Sequence, residues 1–161
     1  MIGNDIVDLA LALKESNWKR PGFLDKIFTI EEQILIDNAM NPDEMVWNLW
    51  SRKEAAYKIY SRQTGIRAYI PTQLVCIYEN DSLGKVICRG NTYYTKTSIT
   101  ADKIHTIAVV EKVIFNHIVN IKSTEVLHKI NGIPFQINSL TNEIKPVSRS
   151  HHGRYKATIG L

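Results

Sequence analysis

At 161 residues and 18.4 kDa the chain has room for one domain of ordinary size, and 44% hydrophobic against 22% charged residues is globular composition. No run of about 18 apolar residues occurs, which excludes a membrane-spanning helix; the first residues also lack the positive charge, apolar stretch and cleavage site of a secretory leader, so a cytoplasmic protein is expected. The 20 Lys+Arg against 16 Asp+Glu leave +4 and a pI near 9.0, which favours an anionic partner without naming one.

Ile2 to Leu9 reads as a short strand and Ala10 to Glu15 as a helical stretch. Thr29-Ile30-Glu31-Glu32 is a capping box that opens a helix to about Asn38. Asn41-Pro42-Asp43-Glu44 opens another, with Asn41 as cap and Pro42 at the first helical position. It carries Val46, Leu49, Trp50, Tyr57 and Tyr60 at helical spacings, runs to about Arg62, and has Gly65 just beyond its end. From there the chain turns to strands. Gln73 to Tyr78 and Lys85 to Arg89 flank the turn signal Asn80-Asp81-Ser82-Leu83-Gly84. Thr92 to Ile99, Ile104 to Val110 and Val113 to Ile121 are further strand candidates. Ser123 reads as the cap of a short helix, Thr124 to Ile130, with Asn131-Gly132 as its stop. Strand-like pieces near Pro134 to Ile137 and Tyr155 to Ile159 close the chain. Helices early and strands later predict an α+β domain, an antiparallel sheet packed on a long helix.

Cys76 and Cys88 sit in no Cys-x-x-Cys arrangement and read as buried thiols of a reducing compartment. His105, His117 and His128 read as structural or surface groups. Phosphate-cradling, dinucleotide-binding and nucleophile-elbow motifs are missing. Two features remain. In Trp50-Ser51-Arg52-Lys53-Glu54-Ala55-Ala56-Tyr57-Lys58, Glu54 and Lys58 are four apart and share one helix face. Alone this is the spacing of an exposed ion pair, but the segment is largely apolar, and charges there need partners. A divalent metal for Glu54 and a phosphate for Lys58 would satisfy both. In Gly3-Asn4-Asp5-Ile6-Val7-Asp8-Leu9, an acid within an apolar strand is costly unless paired or metal-bound. Side chains alternate along a strand, so Asp5 can join a site on the face it shares with Val7 while Asp8 lies opposite. Two carboxylates from separate elements suit Mg²⁺. The closing run Ser148-Arg149-Ser150-His151-His152-Gly153-Arg154-Tyr155-Lys156 has the composition of an anion site or of a solvated basic tail.

Taken in order, these segments resemble the 4′-phosphopantetheinyl transferases, in the arrangement of their short, holo-acyl-carrier-protein-synthase branch. The resemblance rests on Gly-x-Asp-Ile-Val-acid at the N-terminus, Phe23 to Glu32, and Trp50-x-x-Lys53-Glu54-Ala55-x-x-Lys58. It extends to Asn131-Gly132-Ile133-Pro134 and Val147-Ser148-Arg149-Ser150-His151, which look like that branch's closing elements. The resemblance implies Mg²⁺-dependent transfer of the phosphopantetheine arm of coenzyme A to a serine of an apo acyl or peptidyl carrier protein, as in fatty-acid biosynthesis, releasing 3′,5′-ADP. Asp5 and Glu54 would be the metal ligands and Lys58 a phosphate contact. Ser150 and His151 would line the coenzyme A phosphate site, and Lys53 would be the motif lysine of the cofactor site. Asp5, Glu54 and Lys58 would form the catalytic set, with Glu54 or a metal-bound water taking the serine proton. Val7 stands where the two-lobed branch has a further acid, which argues for two protein ligands to the metal. Leu49 stands where the short branch often carries a basic residue.

The carrier proteins are acidic, and Lys14, Lys19, Arg20 and Lys26 could steer one in. The chain is longer than the compact short-branch enzymes, and the surplus is expected as a β-rich insertion at about 66–121. The resemblance further implies a homo-oligomer, with a trimer favoured and the coenzyme A cleft between subunits. Two rival readings are a non-catalytic relative that binds coenzyme A or a carrier protein, and a small basic nucleic-acid-binding domain motivated by the pI and Tyr93-Tyr94. No recognition-helix or stacking-platform motif supports the second.

Overall fold

The structure, a computed structural model, describes residues 1–122, 125–138 and 140–161. Its central element is strand β1 (Ile2–Asp8), buried along nearly its whole length. Asp8 ends the strand and caps helix α1 (Leu9–Glu15), its Oδ1 accepting from the amides of Ala10 and Leu11 at 3.2 and 3.4 Å. The short helix α2 (Phe23–Ile27) leads into α3 (Ile30–Asp37). The capping box at the start of α3 is made: Thr29 Oγ1 accepts from the Glu32 amide, and Glu32 Oε2 accepts from the Thr29 amide at 2.8 Å. Helix α4 (Pro42–Thr64) starts with the Asn41 side chain on the Glu44 amide and ends at Gly65, whose φ of 72° only glycine adopts freely.

Strands β2 (Val75–Tyr78), β3 (Leu83–Cys88), β4 (Asn91–Ile99) and β5 (Lys103–Val109) form an antiparallel sheet with β1, in the order β1-β5-β4-β3-β2. Val46, Leu49, Ala55, Ala56 and Ile59 of α4 are wholly buried in the core it shares with this sheet. The helix lies unusually close to β1. A Cβ on Gly3 would sit 2.1 Å from the Ala55 carbonyl oxygen, so the glycine and the adjoining alanines set the approach. Arg52, also wholly buried, donates to the carbonyls of Asn80, Asp81 and Leu83 and pins the β2–β3 turn to the helix. This is the expected α+β arrangement of a long helix on an antiparallel sheet.

A second sheet follows, in the order β6-β10-β9-β8-β7, from β6 (Val119–Asn120), β7 (His128–Ile130), β8 (Ile133–Ile137), β9 (Ile144–His152) and β10 (Tyr155–Gly160). Two expectations are corrected here. Val113 to Ile121 is a 3-10 turn over Lys112–His117 followed by the two-residue β6, not one strand. The expected helix Thr124 to Ile130 ends instead in strand β7; its cap Ser123 and first residue Thr124 lie outside the described residues. Asn131 and Gly132, at φ 52° and 82°, form the two-residue turn of a β7–β8 hairpin rather than a helix stop. The same left-handed preference serves either purpose, and pairing of Ile130 with Ile133 decides it.

The two sheets meet along the free edge of β1, and side chains make the joint. The amides of Asn4 and Ile6 each donate to a serine hydroxyl of β9, Ser148 and Ser150, at 3.0 Å. The Asp8 amide donates to His152 Nδ1 at 2.9 Å. Alternate residues of β9 thus satisfy alternate amides of β1 without a backbone ladder. Arg62 of α4 bridges the same seam, donating to the carbonyls of Ile2 and Val147 at 3.1 Å.

Candidate active site

Strand β1 and helix α4 bring Asp5 and Glu54 into one pocket of about 260 Å³, whose apolar wall includes Val7, Ala12, Trp47 and Trp50. Asp5 Oδ1 accepts from the Ser150 hydroxyl at 2.9 Å and has the Lys58 ammonium at 3.5 Å. Lys58 does not turn back to Glu54, as a simple i, i+4 pair would. Its Nζ instead donates to the Asn4 carbonyl at 2.5 Å, which fixes it on the Asp5 side of the cleft.

Both carboxyls hold their protons more tightly than usual. Burial pushes the Asp5 carboxyl up, against the charge of Lys58 and the Ser150 hydrogen bond. Burial also raises Glu54 to about 7, and the nearby Asp5 charge adds to it. Tyr69, on the loop after α4, stands beside Glu54: burial and that neighbouring carboxylate push its phenol up. Its hydroxyl is buried on the Glu54 side of the site. Sequence reasoning missed Tyr69, since nothing local marks a loop tyrosine as part of a site 15 residues upstream.

Two largely buried carboxyls in one pocket, with Asp5 raising the proton affinity of Glu54, form an oxygen-rich donor pair, which a hard divalent cation would relieve. Asp5 and Glu54 therefore fit Mg²⁺. Among the described residues no cluster of three His, Cys, Asp or Glu side chains could hold a metal, so the remaining ligands would be waters and substrate oxygens. Asp8 takes no part. Arg154 holds it through Nε and Nη2, both at 2.8 Å, and keeps its carboxyl below the usual carboxylate range.

Two expected cofactor contacts are placed otherwise. Lys53 is wholly buried on another side of α4: its Nζ pairs with Glu32 Oε2 at 2.7 Å and donates to the carbonyls of Pro71 and Leu74 at 2.9 and 2.7 Å. It cannot touch a ligand in the pocket. The 100° step of the helix per residue separates it from Glu54. Ser150 is also buried, and its hydroxyl is fully engaged, accepting from Ile6 and donating to Asp5, so it positions the carboxylate. His151 is exposed and lines both the acid pocket and a neighbouring basic groove. Leu49 is wholly buried, so its position faces the core and not a ligand.

The family model of the 4′-phosphopantetheinyl transferase superfamily matches residues 1–110. The holo-[acyl-carrier-protein] synthase of Caldanaerobacter subterraneus subsp. tengcongensis is 29% identical over 89 residues, 55% of this chain and 68% of that protein. The structure of the Helicobacter pylori holo-[acyl-carrier-protein] synthase in complex with coenzyme A superposes on 68% of this chain and 98% of its own, with TM-score 0.54 and 19% identity. That of the Thermotoga maritima holo-[acyl-carrier-protein] synthase covers 99% of this chain and 82% of its own, with TM-score 0.53 and 14% identity. At such identities the two structures speak to the fold.

The family match runs through 66–110, and strands β2 to β5 lie within it. Outside the match lie residues 111–161, the second sheet. Asn131 to Pro134 and Val147 to His151, read as closing family elements, fall in that region. What the match does contain is β1 with Asp5 and α4 with Glu54 and Lys58, on the family's fold: the chain belongs to the 4′-phosphopantetheinyl transferase superfamily.

Proposed function

We propose that this protein transfers the 4′-phosphopantetheine arm of coenzyme A to a serine of an apo acyl or peptidyl carrier protein, with Mg²⁺, releasing 3′,5′-ADP. The observation that carries the reading is the meeting of Asp5 and Glu54 in one pocket, with Lys58 held on Asp5. The family, the holo-[acyl-carrier-protein] synthase names of its relatives and the coenzyme A of the H. pylori complex support it. Asp5 and Glu54 would hold the cation, which when bound neutralises charge on the coenzyme A diphosphate. Ser150 orients Asp5, and the Asn4 carbonyl orients Lys58 toward an incoming phosphate.

In the reaction the serine oxygen of the carrier forms a bond to the phosphorus on the pantetheine side of the diphosphate. The bond from that phosphorus to the bridging oxygen breaks, and 3′,5′-ADP leaves with the electron pair. Such a transfer needs positioning and charge stabilisation more than covalent help from the protein. The serine proton needs an acceptor, and Glu54 or a water on the cation would take it. The apolar wall of Trp47, Trp50 and Ala12 excludes water from the reacting phosphate.

The carrier protein approaches, in this reading, over α1 and α2, where Lys14, Lys19, Arg20 and Lys26 are exposed beside the exposed Leu13. The free, buried Cys76 and Cys88 suit a reducing, cytoplasmic setting, and no described helix is long and apolar enough to cross a membrane. Homo-oligomeric assembly, with a trimer favoured, follows from the resemblance to the short branch. Incubation of an apo carrier with coenzyme A, Mg²⁺ and this protein tests the function. The carrier gains one phosphopantetheine, and chelation of the metal prevents it; no gain with any carrier class would refute it.

A further inference from the structure

Tyr69 lies on the loop between Gly65, which ends α4, and the 3-10 turn Pro71–Gln73. Trp50, Glu54 and Tyr57 follow one another on α4 at steps of four and three residues, and so share one face of the helix. The Tyr69 ring packs edge-on against Trp50, at 6.1 Å between centroids, and against Tyr57, at 4.8 Å. These are the residues one turn before and one turn after Glu54, so the ring lies across the turn that carries the carboxyl. Two further contacts hold it there. Tyr57 donates its hydroxyl to the Arg67 carbonyl on the same loop at 2.6 Å, and Trp50 is backed edge-on by Trp47 at 6.5 Å.

The phenol reaches Glu54 from outside the pocket. Glu54 lines the acid pocket together with Asp5, and Tyr69 does not. Its oxygen is shielded from solvent and faces the Glu54 carboxyl. A buried hydroxyl requires an acceptor, and an ionised carboxylate is a strong one. No ion pair engages Glu54 among the described residues. Asp5, by contrast, is held by the Ser150 hydroxyl at 2.9 Å. Each acid of the pocket thus has one hydroxyl group beside it, supplied by a different part of the chain. Hydrogen bonds of this kind orient carboxylates that ligate a metal, and losing one typically costs about ten- to a hundredfold in metal affinity.

We propose that Tyr69 is a positioning residue of the cation site: its phenol donates to the Glu54 carboxylate from the side away from the pocket and holds it in the orientation that meets the metal together with Asp5. This rests on the reading of Asp5 and Glu54 as the Mg²⁺ ligands. Tyr69 acts through Glu54 and touches neither the cation nor the reacting phosphate, and its packing between Trp50 and Tyr57 sets where the hydroxyl stands.

Tyr69→Phe keeps the ring and its edge contacts and removes one oxygen. Calorimetric titration of the full chain with Mg²⁺, with and without coenzyme A, is expected to show an affinity at least about tenfold below wild type. The thermal midpoint without metal falls by no more than about 4 °C, the share of one hydrogen bond. In transfer, the variant needs about tenfold more Mg²⁺ for half-maximal rate and returns to within about threefold of wild type once Mg²⁺ saturates. Unchanged Mg²⁺ affinity in Tyr69→Phe overturns the proposal. So does a loss of affinity accompanied by a larger fall in thermal midpoint, which would make the hydroxyl a structural group. A rate that stays low at saturating Mg²⁺ also overturns it, because the phenol would then act in the chemical step. A wild type that binds no Mg²⁺ in either titration overturns the reading of the acid pocket itself.

Discussion

Lys53 provides the sharpest energetic contrast between what the motif suggests and what the structure does with it. Its ammonium is wholly buried against Glu32 at 2.7 Å and against the carbonyls of Pro71 and Leu74. Glu32 is as fully engaged, taking the amides of Thr29 and Cys76 at 2.8 and 2.7 Å. One ion pair thus ties α4 to the start of α3, to β2 and to the loop before it. Lys53→Met removes the cation and leaves Glu32 buried without its charge partner, a loss of roughly 3–5 kcal/mol. For a chain of this length each kcal/mol lowers Tm by roughly 2–4 °C, so a fall of about 10 °C is expected. Glu32→Gln combined with Lys53→Met removes the stranded charge while keeping an acceptor for Cys76, and recovers much of the loss. Thermal unfolding measures these effects, and coenzyme A titration below the melting range measures the site, where Lys53→Met binds like wild type. A variant that melts like wild type but no longer binds coenzyme A would refute the reasoning and return Lys53 to the cofactor site.

Further expectations follow from the joint and from the titrating groups. Ser150→Ala leaves the Ile6 amide buried without an acceptor, at a cost of about 1–3 kcal/mol in urea unfolding, and deprives Asp5 of its donor; unchanged stability would mean that the β1–β9 seam is not held by serine hydroxyls. His105, half-buried with its Nε2 3.2 Å from the Asn4 side-chain Nδ2, is lowered to about 4 by burial and by the charges of Lys103 and Lys58. The fold keeps this imidazole neutral, so stability present above about pH 6.5 is lost as pH falls towards 4, by at most about 3 kcal/mol. His105→Gln should flatten that dependence in urea midpoints compared at pH 7 and 4.5, and equal acid losses in both proteins would contradict the assignment. Because Glu54 must release a proton held until about pH 7, Mg²⁺ affinity should rise as pH passes upward through that value; a flat calorimetric profile from pH 6 to 8 would argue against Glu54 as ligand.

The local signals proved legible. Thr29 with Glu32, Asn41 with Pro42, and Gly65 each declare a helix end through a side chain or a backbone preference that acts within four residues. Asp5, Glu54 and Lys58 were legible because a carboxylate in an apolar strand and a charged turn in an apolar helix both require an explanation. The role of Lys53 was not, since its partner Glu32 lies 21 residues away and helical spacing says only where a side chain starts. Strand β9 was hidden for a different reason. The residues it turns towards β1 are Ser148, Ser150 and His152, so its buried face is polar and carries no hydrophobic alternation.

The central claim is tested most directly by intact-mass measurement of an apo acyl carrier protein incubated with coenzyme A, Mg²⁺ and this protein, beside Asp5→Asn and Glu54→Gln. The wild type is predicted to add one phosphopantetheine group to the carrier, while each variant stays folded and transfers at least about a hundredfold more slowly, in line with the loss of one preorganised charge-stabilising group. Undiminished transfer by both variants would contradict the account, because the chemistry would then lie somewhere other than the pocket that Asp5 and Glu54 share.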